Sequence, residues 1–149
     1  MTVAPMSLQD AVRCSSLPWP EGLSPPVASQ IVTGGWVGET WYAALADGAT
    51  VVVKRCVSAA DVEVDGLAAL GASGVPVPAV LGAAGDVLVL ERVGEGVAPP
   101  TAPDWEHLGR SVAGMHQRTY ERFGWHRDNH AGRFAQRNPL DRGLADLLR

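Results

Sequence analysis

Cysteine is scarce in this sequence: Cys14 and Cys56 are the only two among 149 residues. Two thiols build neither a disulfide framework nor a four-ligand zinc site. The first residues lack a basic stretch followed by a continuous apolar run, and Asp10 comes early, which excludes a signal peptide. Residues 66–85 carry no charge, yet they hold five glycines with Pro76 and Pro78 and are mostly alanine and glycine rather than leucine or isoleucine. Such a run is too flexible and too weakly apolar to enter a bilayer. A net charge of −4 and a pI near 5.5 exclude a general nucleic-acid binder. These absences predict a cytoplasmic, reduced chain without nucleic-acid or membrane partners.

What is present suits a folded chain. Hydrophobic residues make up 46% and charged residues 19%, too apolar for intrinsic disorder. The length fits one domain or part of a larger one. Charge is uneven: residues 1–100 hold 4 basic and 10 acidic side chains, residues 101–149 hold 8 and 6. The acidic part should therefore meet polyanions only at a defined pocket.

Ser7 can cap a short helix ending near Cys14, and the Pro-rich stretch from Leu17 to Pro26 reads as a surface connection. Strands are predicted at 28–33, 39–46 and 49–56, with Asp47-Gly48 as a two-residue hairpin signal between the last two. Ser58 can cap a helix over 59–70. Val75-Pro-Val-Pro78 returns the chain to extended form, because proline excludes helix there. Residues 86–91, Asp-Val-Leu-Val-Leu-Glu, read as a short buried strand. A Gly- and Pro-rich linker occupies 93–103. Trp105, Leu108, Val112 and Met115 then recur at helical spacing, giving an amphipathic helix over 104–119. His116 lies on that stripe, as a hydrogen-bonded core histidine. Past Phe123 the chain reads as an Arg-rich loop. This order does not alternate strand and helix, so a doubly wound parallel sheet is disfavoured.

Three features carry chemistry. Gly34-Gly35-Trp36-Val37-Gly38 joins two strands, so it is neither a dinucleotide fingerprint nor a P-loop. It reads as an ordinary tight hairpin, or as a turn whose amides approach phosphates. Lys54, the only lysine in the chain, sits in a valine-rich strand. A lysine inside a sheet needs water or a partner, so it stands on an edge strand or is paired. Glu63 shares its side of the 59–70 helix with Ala59, Ala60, Leu67 and Leu70, whereas Asp61 and Asp65 lie about 160° away. A carboxylate at the centre of an apolar stripe calls for a cation, and Lys54 is the natural one. A rotated helix would leave all three acids in water instead.

A strand lysine paired with a helix glutamate below a glycine hairpin is the nucleotide-clamping set of protein-kinase folds. The chain resembles the fructosamine kinase (ketosamine 3-kinase) family, relatives of the aminoglycoside phosphotransferases. The resemblance rests on Gly34-Gly35 with Glu39, Val53-Lys54, Glu63-Val-Asp-Gly-Leu67, Val75-Pro-Val-Pro78 and Leu88-Val-Leu-Glu91. It continues through Leu108-Gly-Arg110 with His116. Its most specific block is Phe123-Gly-Trp-His-Arg-Asp-Asn129 with Gly132 and Gln136-Arg-Asn138. It implies an α+β fold: a protein-kinase-like N-terminal lobe of a five-stranded antiparallel sheet plus one helix, a hinge, and the start of a mainly helical C-terminal lobe. The corresponding segments are 1–27 as lead-in, 28–92 as the lobe, 93–103 as the hinge and 104–149 as the opening of the second lobe.

The resemblance further implies ATP- and Mg²⁺-dependent phosphorylation of a sugar hydroxyl on a ketoamine, a glycated amine. Lys54 would hold the α- and β-phosphates, and Glu63 would orient it. Gly34, Gly35 and Gly38 would cover the phosphates, and Glu91, Arg92 and Val93 would line the adenine site. Trp125, Asp128 and Asn129 would lie toward the substrate. Two departures stand out. The interval of nine residues between Lys54 and Glu63 is short for the family. The family's His-Gly-Asp-Leu-Trp catalytic loop and its metal-binding Asp-Pro-Ala are not among these 149 residues, so no catalytic or Mg²⁺-ligating residue is assigned here. A non-catalytic nucleotide-binding or interaction module, or a phosphotransferase acting on an aminoglycoside or another small molecule, is the alternative. The 104–119 helix face is a candidate for self-association.

His126-Arg127-Asp128 imitates the His-Arg-Asp catalytic loop of protein kinases, but Arg133 stands where that loop needs a metal-binding Asn. His126 and His130 are four residues apart, without the second ligand pair that zinc requires. The arginines at 118, 122, 127, 133 and 137 fit an anionic substrate or, more simply, a solvated face.

Overall fold

The computed structural model describes residues 14–32, 37–94, 98–122 and 124–138. Five strands form one sheet: β1 (Pro26–Ile31), β2 (Glu39–Leu45), β3 (Thr50–Arg55), β4 (Val80–Ala84) and β5 (Val87–Glu91). Their spatial order is β1-β2-β3-β5-β4, and every neighbouring pair is antiparallel. Helix α1 (Ala60–Ala72) intervenes between β3 and β4, and helix α2 (Ala102–His116) follows the sheet. The architecture is α+β, as expected. A short hairpin of β6 (Asn129–Ala131) and β7 (Phe134–Gln136) stands where an Arg-rich loop was expected.

Alternation along the strands sorts the sheet into two faces. Trp41, Ala43, Leu45, Val51, Val53, Val87 and Val89 form one buried core. The opposite face carries Leu88, fully buried, which packs with Cys56 and Ala60, and with Val64, Leu67 and Leu90 in part. β5 is therefore buried on both sides along Val87-Leu88-Val89, which explains its unbroken apolar sequence.

The first face is covered by the stretch expected to run over the surface. Leu17, Trp19 and Leu23 pack on the core, and the Trp19 indole N–H donates to Leu23 O at 3.2 Å. The physical reason is supply. The helix of this lobe lies on the other face, so the lead-in is what shields a row of valines and Trp41 from water.

Local chemistry differs from the sequence reading at three further points. Four residues separate β2 from β3, three of them enclosed by the Leu45 N–H donating to Ala49 O at 2.8 Å, with Gly48 left-handed (φ +90°). A two-residue turn of the type Asp-Gly favours needs positive φ at both positions, and among the described residues only glycines have it. Ser58 does not cap α1. Its N-cap is Ala59, and the Ala60 N–H donates instead to Gly85 O in the β4–β5 turn (2.8 Å). α2 begins at Ala102 rather than 104, because Pro103 is tolerated in a first helical turn and Thr101 with Asp104 forms a capping box.

Candidate nucleotide site

β3 is the central strand, so the edge-strand reading of Lys54 falls. The backbone of Lys54 pairs with Thr40 on one side and Leu88 on the other. In direct antiparallel register, Tyr42 faces Val52 and Val52 faces Leu90, which puts Tyr42, Val52, Lys54, Leu88 and Leu90 on the α1 side of the sheet.

α1 crosses that side with Glu63 turned inward. The Lys54 ammonium donates to both carboxylate oxygens of Glu63, at 2.5 and 2.8 Å. The two side chains keep 31% and 35% of their exposure, so the pair sits at a cavity wall rather than inside the core. Its value is positional: a half-exposed ion pair adds little stability, but it fixes where an ammonium points. Leu67 and Val64 press on Cys56 and Leu88 from the same helix, whereas Leu70 is 38% exposed. Beside the pair, burial pushes the Cys56 thiol up to about 11, with a further upward push from the Glu63 charge.

Lys54 and Glu63 line a cavity of about 520 Å³ together with Val37, Ser58, Gly66, Leu67, Asn129 and His130. Gly38, next to the cavity-lining Val37, has φ +72°. A Cβ there would lie 2.3 Å from Arg55 O, so only glycine lets the backbone at 38 come this close to β3 beside Lys54. Gly34 and Gly35 lie outside the described residues.

A second cavity, about 490 Å³, opens farther along the same face. Tyr42, Val52, Leu90 and Pro76-Val77-Pro78 give it apolar walls, and Glu91, Arg92 and Val93 close one end. The Arg92 guanidinium lies 4.5 Å over the Tyr42 ring, a cation–π contact that stiffens that end. The Glu91 N–H donates to Ala79 O at 2.9 Å, joining the strand end to the segment after the prolines. An apolar cavity and a held ammonium on one face of the sheet are two environments of the kind that the base and the phosphates of a nucleotide call for.

The residues assigned to the substrate side divide. Asn129 reaches the Lys54 cavity, with its side-chain oxygen out of solvent. Trp125 lines a separate cavity of about 540 Å³ with Tyr120, Arg122 and His126. Asp128 accepts the Asn138 backbone N–H at 2.9 Å and is occupied in holding its own hairpin. The look-alike catalytic loop therefore has other work. Arg127 donates to Asp61 at 2.8 Å, and His126 Nε2 lies 2.6 Å from Asp65 Oδ2. Asp61 and Asp65 do face away from Glu63, and each is met by a side chain of a later segment, Asp61 remaining exposed. Among the described residues, no three His, Cys, Asp or Glu side chains converge as metal ligands.

His116 departs from expectation. α2 buries none of its residues, and His116 is exposed along with Trp105 (60%) and Leu108 (46%). On the face expected to bury it, Leu108 and Ser111 share a cavity of about 310 Å³ with Val75 and Pro76, and Val112 and Met115 are half-buried. The helix also stops at His116, three residues short of the expected end.

The sequence profile of the fructosamine kinase family matches residues 26–147. The chain belongs to the fructosamine kinase family. Among solved structures, it is similar to a protein of Thermobifida fusca provisionally named a fructosamine-3-kinase, with 29% identity and a TM-score of 0.62. That match covers 87% of this chain and 46% of the other. A Haemophilus somnus protein, provisionally given the same name, matches at 20% identity and a TM-score of 0.63, over 93% of this chain and 48% of that one. The second likeness shows the fold alone. The chain thus spans about half the length of the solved structures it matches. No curated protein matches it. No helix among the described residues is long and apolar enough to cross a membrane.

Proposed function

We infer that this chain is the nucleotide-clamping half of an ATP-dependent ketoamine kinase. The observation that carries the reading is the Lys54–Glu63 pair in the wall of one cavity, on the sheet face whose Tyr42, Val52 and Leu90 line a second, apolar one. The adenine ring fits between Val52 and Leu90 on the sheet side and Pro76–Pro78 opposite, with its edge toward the backbone near Val93. The Glu91 amide is already committed to Ala79, which turns recognition of the purine edge over to the residues after it. The α- and β-phosphates then meet the Lys54 ammonium. Glu63 holds that ammonium in place, and the close Gly38 backbone leaves room for the phosphates.

Mg²⁺ is the metal such a reaction uses, and it would supply charge neutralisation at the β- and γ-oxygens. Among the described residues, no three His, Cys, Asp or Glu side chains offer a ligand set for it. The acceptor, by family membership, is a sugar hydroxyl of a glycated amine. The sequence contains no His-Gly-Asp-Leu-Trp loop to orient that hydroxyl. Phosphoryl transfer is mostly positioning and charge stabilisation, so these 149 residues bind nucleotide without turning it over.

Calorimetry tests the reading. Lys54→Met should weaken Mg·ATP by about tenfold or more while changing adenosine affinity less than about twofold, since only the phosphates lose a partner. Equal loss for both ligands, or none, removes Lys54 from the phosphate site.

A further inference from the structure

We propose that Arg127 and His126 are positioning residues for the phosphate site: the segment around the β6–β7 hairpin clips the outer face of α1 and thereby holds Glu63 against Lys54. The proposal rests on the nucleotide-clamp reading for its functional consequence, but not for its geometry.

α1 is weakly held by its own contacts. Only Ala60 is buried, its N-cap makes no side-chain bond, and Gly66 and Gly71 sit inside the helix. Each internal glycine lowers helix stability relative to alanine. A helix so loosely seated can roll, and rolling by one residue carries a side chain about 100° around the axis. Glu63 would then leave the ammonium.

The outer face supplies the missing restraint. Asp61 and Asp65 are one turn apart on one face of α1, with Glu63 between them in sequence and opposite them in space. Arg127 donates to Asp61 at 2.8 Å, and His126 Nε2 packs 2.6 Å from Asp65 Oδ2, a solvent-shielded oxygen that receives no aligned hydrogen bond. Two contacts a turn apart resist rolling where one would act as a pivot. The clip is itself braced. Asn138 donates its backbone N–H to Asp128 and its side-chain amide to Arg127 O (3.3 Å), and Asn129 pairs with Gln136 across the hairpin. From that base the hairpin runs on to line the Lys54 cavity with Asn129, His130 and Gly132. The His-Arg-Asp triplet that imitates a catalytic loop is thus a brace: His126 and Arg127 grip the helix, and Asp128 fastens the grip.

Charge reversal tests the clip. Asp61→Arg, Arg127→Asp and the double variant are compared with the parent chain by hydrogen exchange of the residue 62–66 amides and by Mg·ATP and adenosine calorimetry. A milder variant, Arg127→Gln, is carried alongside in case a reversal unfolds the chain. Each single change should raise exchange in α1 and weaken Mg·ATP about threefold to fivefold, the scale of one half-exposed ion pair, with adenosine unaffected. The double variant should restore both. Unchanged α1 exchange in the single variants, or a folded double variant that restores neither readout, overturns the proposal. If the parent chain binds no Mg·ATP, the nucleotide reading fails, and α1 exchange alone still decides the clip.

Discussion

Lys54 shows how much one residue can report when its type is rare. A sole lysine inside a valine strand demands a partner, and the helical positions of Asp61, Glu63 and Asp65 single out which acid faces inward. That pairing was legible in the sequence, and the two hydrogen bonds between Lys54 and Glu63 realise it. Gly38 was legible only as one glycine among several. Its necessity comes from a carbonyl 17 residues away, which no local pattern reveals. Gly38→Ala should lower stability by about 2 kcal/mol or more, because the left-handed backbone alone costs about 1–2 kcal/mol for a residue with a Cβ. The clash with Arg55 O adds to this. Urea denaturation would read the loss as a lower midpoint at unchanged slope, and an unchanged midpoint would show that the turn relaxes freely. The two thiols give a second check at this scale. Burial pushes both Cys14 and Cys56 up to about 11, so the reactive thiolate is suppressed at pH 8. Both should resist a thiol reagent in the native chain and react promptly in urea. Prompt native labelling of Cys56 would contradict its place beneath α1.

Among the elements, those with a strong period or an unbroken apolar run were read correctly, and those defined by tertiary partners were not. β2, β3 and β5 announce themselves through valine, tryptophan and leucine at the right spacing. The β6–β7 hairpin does not. Its strands are only three residues long, mixed in polarity and mostly exposed, and they lie in a stretch whose charges suggested solvent. What organises that stretch is its contact with Asp61 and Asp65, some 60 residues earlier. The start of α1 was misread for a similar reason, since a carbonyl from the β4–β5 turn does the work assigned to Ser58. α2 carries its own capping signal and yields a pH prediction. Hydrogen bonds from the Thr101 hydroxyl and backbone N–H hold the Asp104 carboxyl below its usual range. A depressed carboxyl supports the fold fully above its unfolded value, near 3.9, and that support is lost as pH falls through the lower folded value. Helical signal by circular dichroism should therefore show an acid-dependent loss below about pH 4 that is smaller in Asp104→Asn, which already lacks the charged cap. Identical acid profiles for the two chains would remove the capping box from the account.

At the scale of the whole molecule, a five-stranded sheet with a cavity at Lys54 is followed by a helix that has no fully buried residue. Trp105 and Leu108 leave an apolar stripe in water, and such stripes associate. Light scattering on this chain should show oligomers that Trp105→Glu with Leu108→Glu disperses; a sharp monomer across a wide concentration range would contradict this. Incubation with ATP, Mg²⁺ and a fructosamine or ribulosamine should yield no 3-phosphate, and turnover abolished by Asp128→Asn would return His126-Arg127-Asp128 to a catalytic role. The central claim, that phosphates sit on Lys54, has a direct test because the chain has no other lysine. Acylation by an amine reagent, mapped by mass spectrometry, reports Lys54 and the N-terminal amine separately. Saturating Mg·ATP should slow acylation of Lys54 several-fold, adenosine should not, and the N-terminal amine should label at the same rate throughout. Equal labelling of Lys54 with and without bound ATP, or equal protection by adenosine, would contradict the account.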